Sequence, residues 1–434
     1  MPCLTRDGSY ETGAALTSIQ SVLAAFAIIL IDLFGRAGLD KVLALTGGPA
    51  MVALWAQLQS VVELVSSVAL AGVLQGLTVL VAQVRDSRDE HSLLRAALKL
   101  GLGTSLAVAL GMLLVAGYIR GEIKPELLLL AALAGCIMVI PATLNAYWLG
   151  KHQQQSMLGL ALLGSAALLL VAAGAWFALS LRGLMLVQCL ALAVIGGLVW
   201  RTLHRLSGRT LSQHGVGQAA DREYVRKLVR FVPVGLAIGI MSPVSMLLVR
   251  GMLSGSLSWE EVGYLQALWR STEWVTATAA GVLSLVFLPR FSSAFVSGHD
   301  GSARFRHEML RAGLVVLIPA ACLLSLIYLN QRAMLATLYD ARFVVSDATA
   351  ALFMLGSWIR IASWLFLFGL FAAHRTRLIM AGEVLSLPLY ALLLWLFSAG
   401  ITLELSAQLY LVSYLVYLAF TAASLLYAAR KKYS

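Results

Sequence analysis

The chain has 434 residues, of which 60% are apolar and only 12% are charged, and its mean hydropathy is +0.86. No water-soluble core of this length needs so much apolar surface, so the solvent for most of the chain is lipid, and a soluble enzyme or binding domain is excluded. The formal net charge of +11 would suit a nucleic-acid partner, but the placement of the cations decides against one.

Lipid cannot hydrogen-bond an exposed amide, and the apolar runs lack the alternation of strands. The chain is therefore read as an all-α integral membrane protein, each run of roughly 20 residues crossing about 30 Å of hydrocarbon. In chain order the spans are expected at roughly 14 to 34, 51 to 84, 98 to 119, 126 to 149, 156 to 180 and 183 to 200, then 228 to 250, 260 to 288, 309 to 329, 347 to 372, 378 to 399 and 405 to 428. The second, eighth and tenth exceed a bilayer and are expected to tilt or protrude. Residues 1 to 13 carry Asp7 and Glu11 and no short apolar core, so the first span is expected to remain as an anchor. Cys3, Cys136, Cys189 and Cys322 lie far apart and read as inert thiols, with neither a disulfide framework nor a metal site.

With twelve spans, most of the 32 Lys and Arg fall on the side holding both termini, among them Arg85, Arg88, Arg95, Lys99, Arg201, Arg226, Arg290, Arg375 and the run Arg430, Lys431 and Lys432. By the positive-inside rule both ends are cytoplasmic. The basic excess then reports orientation and anionic lipid, not nucleic acid.

The longest polar stretch, 201 to 227, reads as a cytoplasmic linker between an N-terminal six-helix bundle, 1 to 200, and a C-terminal one, 228 to 434. A repeat supports this division. Glu63 precedes Ala71-Gly72-Val73-Leu74, and Glu273 precedes Ala280-Gly281-Val282-Leu283, at offsets of 210 and 209 residues. Six spans per half preserve direction, so the halves should be related by an axis along the bilayer normal, with a pathway between them.

Asp32, Glu63, Arg270, Glu273, Arg360 and Glu383 fall within or beside the spans, where an ionised group at mid-depth costs about 2.5 to 3.5 kcal/mol. They must face protein or a wet cavity. Arg270 and Glu273, three apart, form either an internal ion pair or part of a site. Arg360 is neutralised either by Glu383 or by a ligand anion, and Trp364 and Phe368 continue an aromatic stripe from it. Glu63, Glu273 and Glu383 are candidates for proton exchange, since desolvation moves carboxyl groups toward the working range; paired structural glutamates are the alternative. Arg36, Lys41 and Arg250, near the outer span ends, serve either as snorkelling anchors or, with Arg270 and Arg360, as a cationic cavity for a pyrophosphate head.

No GxxxxGK[ST] loop occurs, and His307-Glu308 continues as Met309-Leu310-Arg311, which fails the HExxH zinc pattern. No cofactor, no metal and no catalytic residue is expected. No outer loop exceeds about 20 residues, which leaves little room for the catalytic loop of a membrane glycosyltransferase or ligase.

Several segments resemble the Wzx-type polysaccharide flippases of the MOP exporter superfamily, the enterobacterial common antigen lipid III branch included. They are Ser242-Pro243-Val244, Arg250-Gly251-Met252-Leu253, the distinctive Ser258-Trp259-Glu260-Glu261-Val262-Gly263-Tyr264, Phe287-Leu288-Pro289, Ala381-Gly382-Glu383-Val384 and Tyr414-Leu415-Val416-Tyr417. The resemblance implies two six-helix bundles around a V-shaped cavity, alternating access, and translocation of undecaprenyl-pyrophosphate-linked oligosaccharide from the inner to the outer leaflet of the bacterial cytoplasmic membrane. Lys41, Arg250, Glu273, Arg360 and Glu383 match charged positions of that family, whereas Gln59 stands where the family has an arginine. Membrane lipids, a polysaccharide polymerase and a chain-length regulator are the further partners such a role brings. The rivals are a cation-coupled multidrug exporter of the same superfamily, which would want an acidic or aromatic cavity, and a membrane polymerase or ligase of lipid-linked glycans.

Overall fold

The computed structural model describes residues 9–84, 87–116, 123–151, 153–207, 218–230, 232, 235, 239–296 and 301–433; it is helical, and no strand occurs among the described residues. The first helix, α1, runs over Ser9–Leu70 with a break at Gly48, whose φ of 70° and ψ of −168° no helix accommodates. Glycine takes this left-handed φ without a Cβ clash, and Pro49, which lacks an N–H, follows where a new helix can begin. The chain folds back there. Arg36 and Glu63 line one cavity, although 27 helical residues would set them about 40 Å apart on a straight rod. The first two expected spans are thus joined without a loop, and the stretch expected to be a loop, 35 to 47, is helical wall.

Five helices complete the first half: α2 (Val73–Gln83), α3 (Ser87–Ala116), α4 (Pro125–Gly150), α5 (Gln154–Trp176) and α6 (Leu181–Ser207). In the segment read as a linker, residues 201–207 continue α6 and residues 218–227 belong to α7 (Gln218–Val229); 208–217 lie outside the described residues. α7 buries Tyr224 and Leu228 against α2 and α3 and leaves Arg226 and Arg230 exposed.

The second half contains α8 (Met241–Ser256) and α9 (Trp259–Val282), a π-turn at Leu283–Phe287, then α10 (Leu288–Val296), α11 (Gly301–Leu329), α12 (Gln331–Leu338), α13 (Asp347–Ala372), α14 (Thr376–Val384), α15 (Leu387–Leu396) and α16 (Leu403–Tyr433). Ser258 opens α9 with a capping box, its hydroxyl accepting from the Glu261 amide while the Glu261 carboxylate accepts from the Ser258 amide. The expected eleventh span is broken at Leu385 and Ser386, because Pro388 cannot donate to the preceding turn.

The repeat marks matching irregularities. Ala71 and Gly72, where Gly72 has φ 70°, break the second pass of the first half, and the π-turn follows Ala280-Gly281-Val282 in the second. Within each half the helices pack mainly on one another, α1 on α4 and α5, α13 on α11 and α16; between halves α1 meets α8 and α9. Among the described residues ten helical stretches are long and apolar enough to cross a membrane. The fold-back at Gly48 makes two passes of one stretch. The fold is all-α, with about twelve membrane helices in two six-helix bundles.

Candidate functional site

Polar side chains that a membrane helix cannot show to lipid converge on one place. Three adjoining voids lie against both limbs of α1, α4, α5 and α6, with Arg270 and Glu273 reaching in from α9. Asp32, Arg36 and Asp40 stand at i, i+4 and i+8 on the first limb of α1, so one helical face presents all three to this space. Gln59 and Glu63, one turn apart on the second limb, face them.

The charges are mutually arranged. Arg36 Nε lies 3.0 Å from Asp32 Oδ2, and both side chains remain well exposed to the cavity. Arg270 sits between two carboxylates: Nη1 donates to Glu273 Oε2 at 2.6 Å, and Nε lies 3.5 Å from Asp40 Oδ2. Gln59 and Gln188 exchange hydrogen bonds at 2.8 and 3.0 Å, which fixes both amides at the cavity wall. Asn145, Trp55 and Trp274 complete the polar and aromatic lining.

The electrostatics differ from the cationic cavity expected from the arginines. Two guanidinium groups, Arg36 and Arg270, meet four carboxylates, Asp32, Asp40, Glu63 and Glu273. The difference arises because Asp40 lies in the stretch read as a loop, and because Arg250 and Arg360 line none of these voids. Arg250, 7% exposed, is held by neutral groups. Nε and Nη2 donate to Gln266 Oε1 at 3.1 and 2.9 Å, and Nη1 donates to Ala56 O at 3.1 Å and to Ser60 Oγ. Ala56 and Ser60 belong to the other half, so Arg250 ties the bundles together.

Arg360 lies within the second bundle, its guanidinium 5.6, 4.7 and 5.7 Å from the ring centres of Trp269, Trp364 and Tyr414. Its buried Nε has no hydrogen-bond partner. Glu383, at the end of the half-helix α14, makes no ion pair with Arg360 within 4 Å; it accepts from Tyr417 Oη at 3.1 Å. Tyr410, Tyr414 and Tyr417 on α16 meet edge to face in turn, Phe353 stacks on Tyr410 and Trp269 meets it edge-on, so an aromatic cluster surrounds this arginine. Lys41 points away from the voids, to the carbonyls of Ala336 and Tyr339.

Of the sequence-derived residues, the structure therefore gathers Arg36, Arg270, Glu63 and Glu273 in one cavity and leaves Lys41, Arg250, Arg360 and Glu383 elsewhere. Asp32, expected to face protein or a wet cavity, joins them, and the structure adds Asp40 and the Gln59–Gln188 pair. The i, i+4, i+8 spacing from Asp32 was the signal for Asp40. Among the described residues no group of three His, Cys, Asp or Glu is placed to hold a metal ion.

No protein-family model and no curated protein sequence matches the chain. Solved structures do. A multidrug resistance MATE family transporter of the MOP superfamily, in an inward-facing conformation, superposes with a TM-score of 0.69 at 13% identity, covering 94% of each chain. An outward-facing structure described in the same terms gives 0.60 at 11% identity, over 96% of this chain and 95% of the other. A MOP superfamily transporter from Pyrococcus furiosus, described as having a binding pocket of reverse polarity, gives 0.61 at 13% identity, over 96% and 94%. The chain has the fold of the MOP superfamily transporters.

Proposed function

We propose that this protein is a flippase that carries undecaprenyl-pyrophosphate-linked oligosaccharide from the inner to the outer leaflet of the bacterial cytoplasmic membrane by alternating access. The composition of the cavity wall carries the reading. Arg36 and Arg270 offer forked donors for a diphosphate. Gln59, Gln188, Asn145 and the carboxylates offer the mixed donors and acceptors that sugar hydroxyls need, and Trp55 and Trp274 offer flat faces. Each arginine already has a carboxylate partner, so it is not left unpaired between transport events. A diphosphate competes for these guanidinium groups, and protonation of Asp40, Glu63 or Glu273 would remove the repulsion and link transport to a proton gradient. The moving units in this proposal are 1–200 and 228–434, joined through 201–227, with both ends cytoplasmic. A polysaccharide polymerase and a chain-length regulator would receive the product.

One observation favours a second reading. Carboxylates outnumber guanidinium groups at the wall, as suits a cation-coupled exporter of lipophilic cations. Binding separates the two. The purified protein in nanodiscs is titrated with undecaprenyl-diphosphate-linked glycan and with tetraphenylphosphonium. The flippase reading expects saturable glycan-lipid binding that weakens at least tenfold in Arg36→Ala and in Arg270→Ala, each guanidinium contributing about 1.5 kcal/mol or more. Binding of tetraphenylphosphonium alone sinks it.

A further inference from the structure

We propose that Lys41 and Arg342 form a reciprocal latch that holds the two bundles together at the end of the molecule carrying the Gly48 fold-back. Each cation leaves its own bundle and caps the carbonyl end of a helix in the other. Lys41 Nζ donates to Tyr339 O at 2.7 Å and to Ala336 O at 3.3 Å, where α12 ends. Arg342 Nη2 donates to Ala44 O at 2.8 Å and to Leu45 O at 3.4 Å, in the last turn before the fold-back. Leu45 O lacks its usual i+4 donor, because Pro49 carries no N–H. Both acceptor sets are the negative ends of helices, so each contact joins a hydrogen bond to a charge–dipole attraction.

Arg342 is aimed before it binds. Asp340 Oδ2 accepts from its Nε at 3.0 Å and its Nη2 at 2.7 Å, and Oδ1 accepts from the Arg342 amide at 3.2 Å. Around the latch the bundles meet through shape. A Cβ on Gly263 would stand 2.1 Å from Pro49 O, so only a glycine there lets α9 approach the fold-back this closely.

The latch is releasable in a way the Arg250 contact is not. The Arg342 side chain is 54% exposed and Lys41 is part-exposed, so water can take over both cations and all four carbonyls when the ends separate. Opening therefore strands no buried polar group. Arg250 has no such exchange, being sealed among Gln266, Ala56 and Ser60. The bundles can part at the latch while they stay joined at Arg250. This inference rests on movement of two bundles and not on which molecule is carried.

The test uses the full chain with its cysteines replaced, reconstituted in phospholipid nanodiscs, with spin labels at Thr46 and Val344, exposed positions on opposite sides of the latch. Pulsed electron resonance should give a distribution dominated by one short distance. In Lys41→Met with Arg342→Gln a longer distance should gain roughly tenfold or more in population ratio. Each single variant should shift the same way by less, which keeps the test decisive if the double variant folds poorly. Arg182→Gln, which removes an exposed ion pair with Glu126 inside one bundle, should change nothing. An unchanged distribution in helical, monodisperse Lys41 and Arg342 variants overturns the latch, as does an equal shift in Arg182→Gln. No glycan enters the measurement, so failure of the flippase reading would leave this result standing.

Discussion

Replacing Gln266 by Leu is expected to destabilise the protein more than replacing Arg250 by Met, although the arginine is the larger and charged partner. Gln266 Oε1 takes two of the four hydrogen bonds of a guanidinium that is 7% exposed and has no carboxylate beside it. A hydrogen bond to a charged group contributes about 1.5–3 kcal/mol, so two amount to about 3–6 kcal/mol. Removing one partner from a buried charge costs about 3–5 kcal/mol, and the two routes agree. Arg250→Met takes the charge away with its desolvation cost. Ser60 can then turn back to the Ala56 carbonyl four residues earlier, and only Gln266 Oε1 is left unsatisfied, at about 1–3 kcal/mol. The double variant Arg250→Met/Gln266→Leu rebuilds an apolar contact, so the cycle should show a coupling of about 2 kcal/mol or more. Equilibrium unfolding in mixed micelles, followed by tryptophan fluorescence, measures all three. A Gln266→Leu cost under about 1 kcal/mol, or additive single and double variants, would refute the claim that neutral dipoles hold this cation.

Three further outcomes follow from local geometry. Gly263→Ala should cost about 1–3 kcal/mol in the same assay, because the new Cβ meets Pro49 backbone 2.1 Å away, whereas Gly251→Ala, with nothing within 4 Å, should be neutral or gain up to about 1 kcal/mol. His374→Gly should raise the thermal midpoint, contributing about 1 kcal/mol: His374 holds a φ of 54° where α13 ends, with its amide on Phe371 O and the Arg375 amide on Leu370 O. Arg342 hydrogen bonds hold the Asp340 carboxyl below its ordinary value of 3.8. A depressed carboxyl pKa contributes stability above its ordinary value and loses it only as pH falls through the lower one. The Thr46–Val344 distance should therefore be the same at pH 8 and pH 5, and lengthening over that interval would show that Asp340 does not carry the arm.

The number of passes was legible because an apolar run of bilayer length has few other uses. The ends were less so. Hydropathy stops a span at its first charges, but Arg36, Asp40 and Lys41 lie on continuous helix, since their side chains meet a cavity or another helix end in place of lipid. The gap between the first two expected spans called for a turn; nothing local announced that it would be a fold-back without a loop. The partners of Arg250 were beyond sequence reasoning, because Ala56 and Ser60 stand 194 and 190 residues away. Glu383 was the natural acid to weigh against Arg360 on the next helix, yet the break at Ser386 ends its helix early and its carboxylate meets the Tyr417 hydroxyl.

The 210-residue offset between Glu63 and Glu273 also pairs the two arginines that touch the opposite bundle with first-half positions. At the 210-residue offset, Asp40 corresponds to Arg250, Ser60 to Arg270 and Glu63 to Glu273. Asp40 with Arg270, and Ser60 with Arg250, are then two copies of one contact across the bundles, and they differ in what faces the guanidinium. In the first copy it is a carboxylate at 3.5 Å beside a cavity, worth about 5 kcal/mol at an effective dielectric of 20 and about 1 kcal/mol in water. Its strength therefore depends on how wet the cavity is and on whether another anion has entered, as the proposed carriage of a diphosphate requires. In the second copy a hydroxyl, an amide and a carbonyl surround a cation that lines none of the three voids. Rocking about that sealed copy would leave the Asp40–Arg270 pair as the contact free to exchange with substrate.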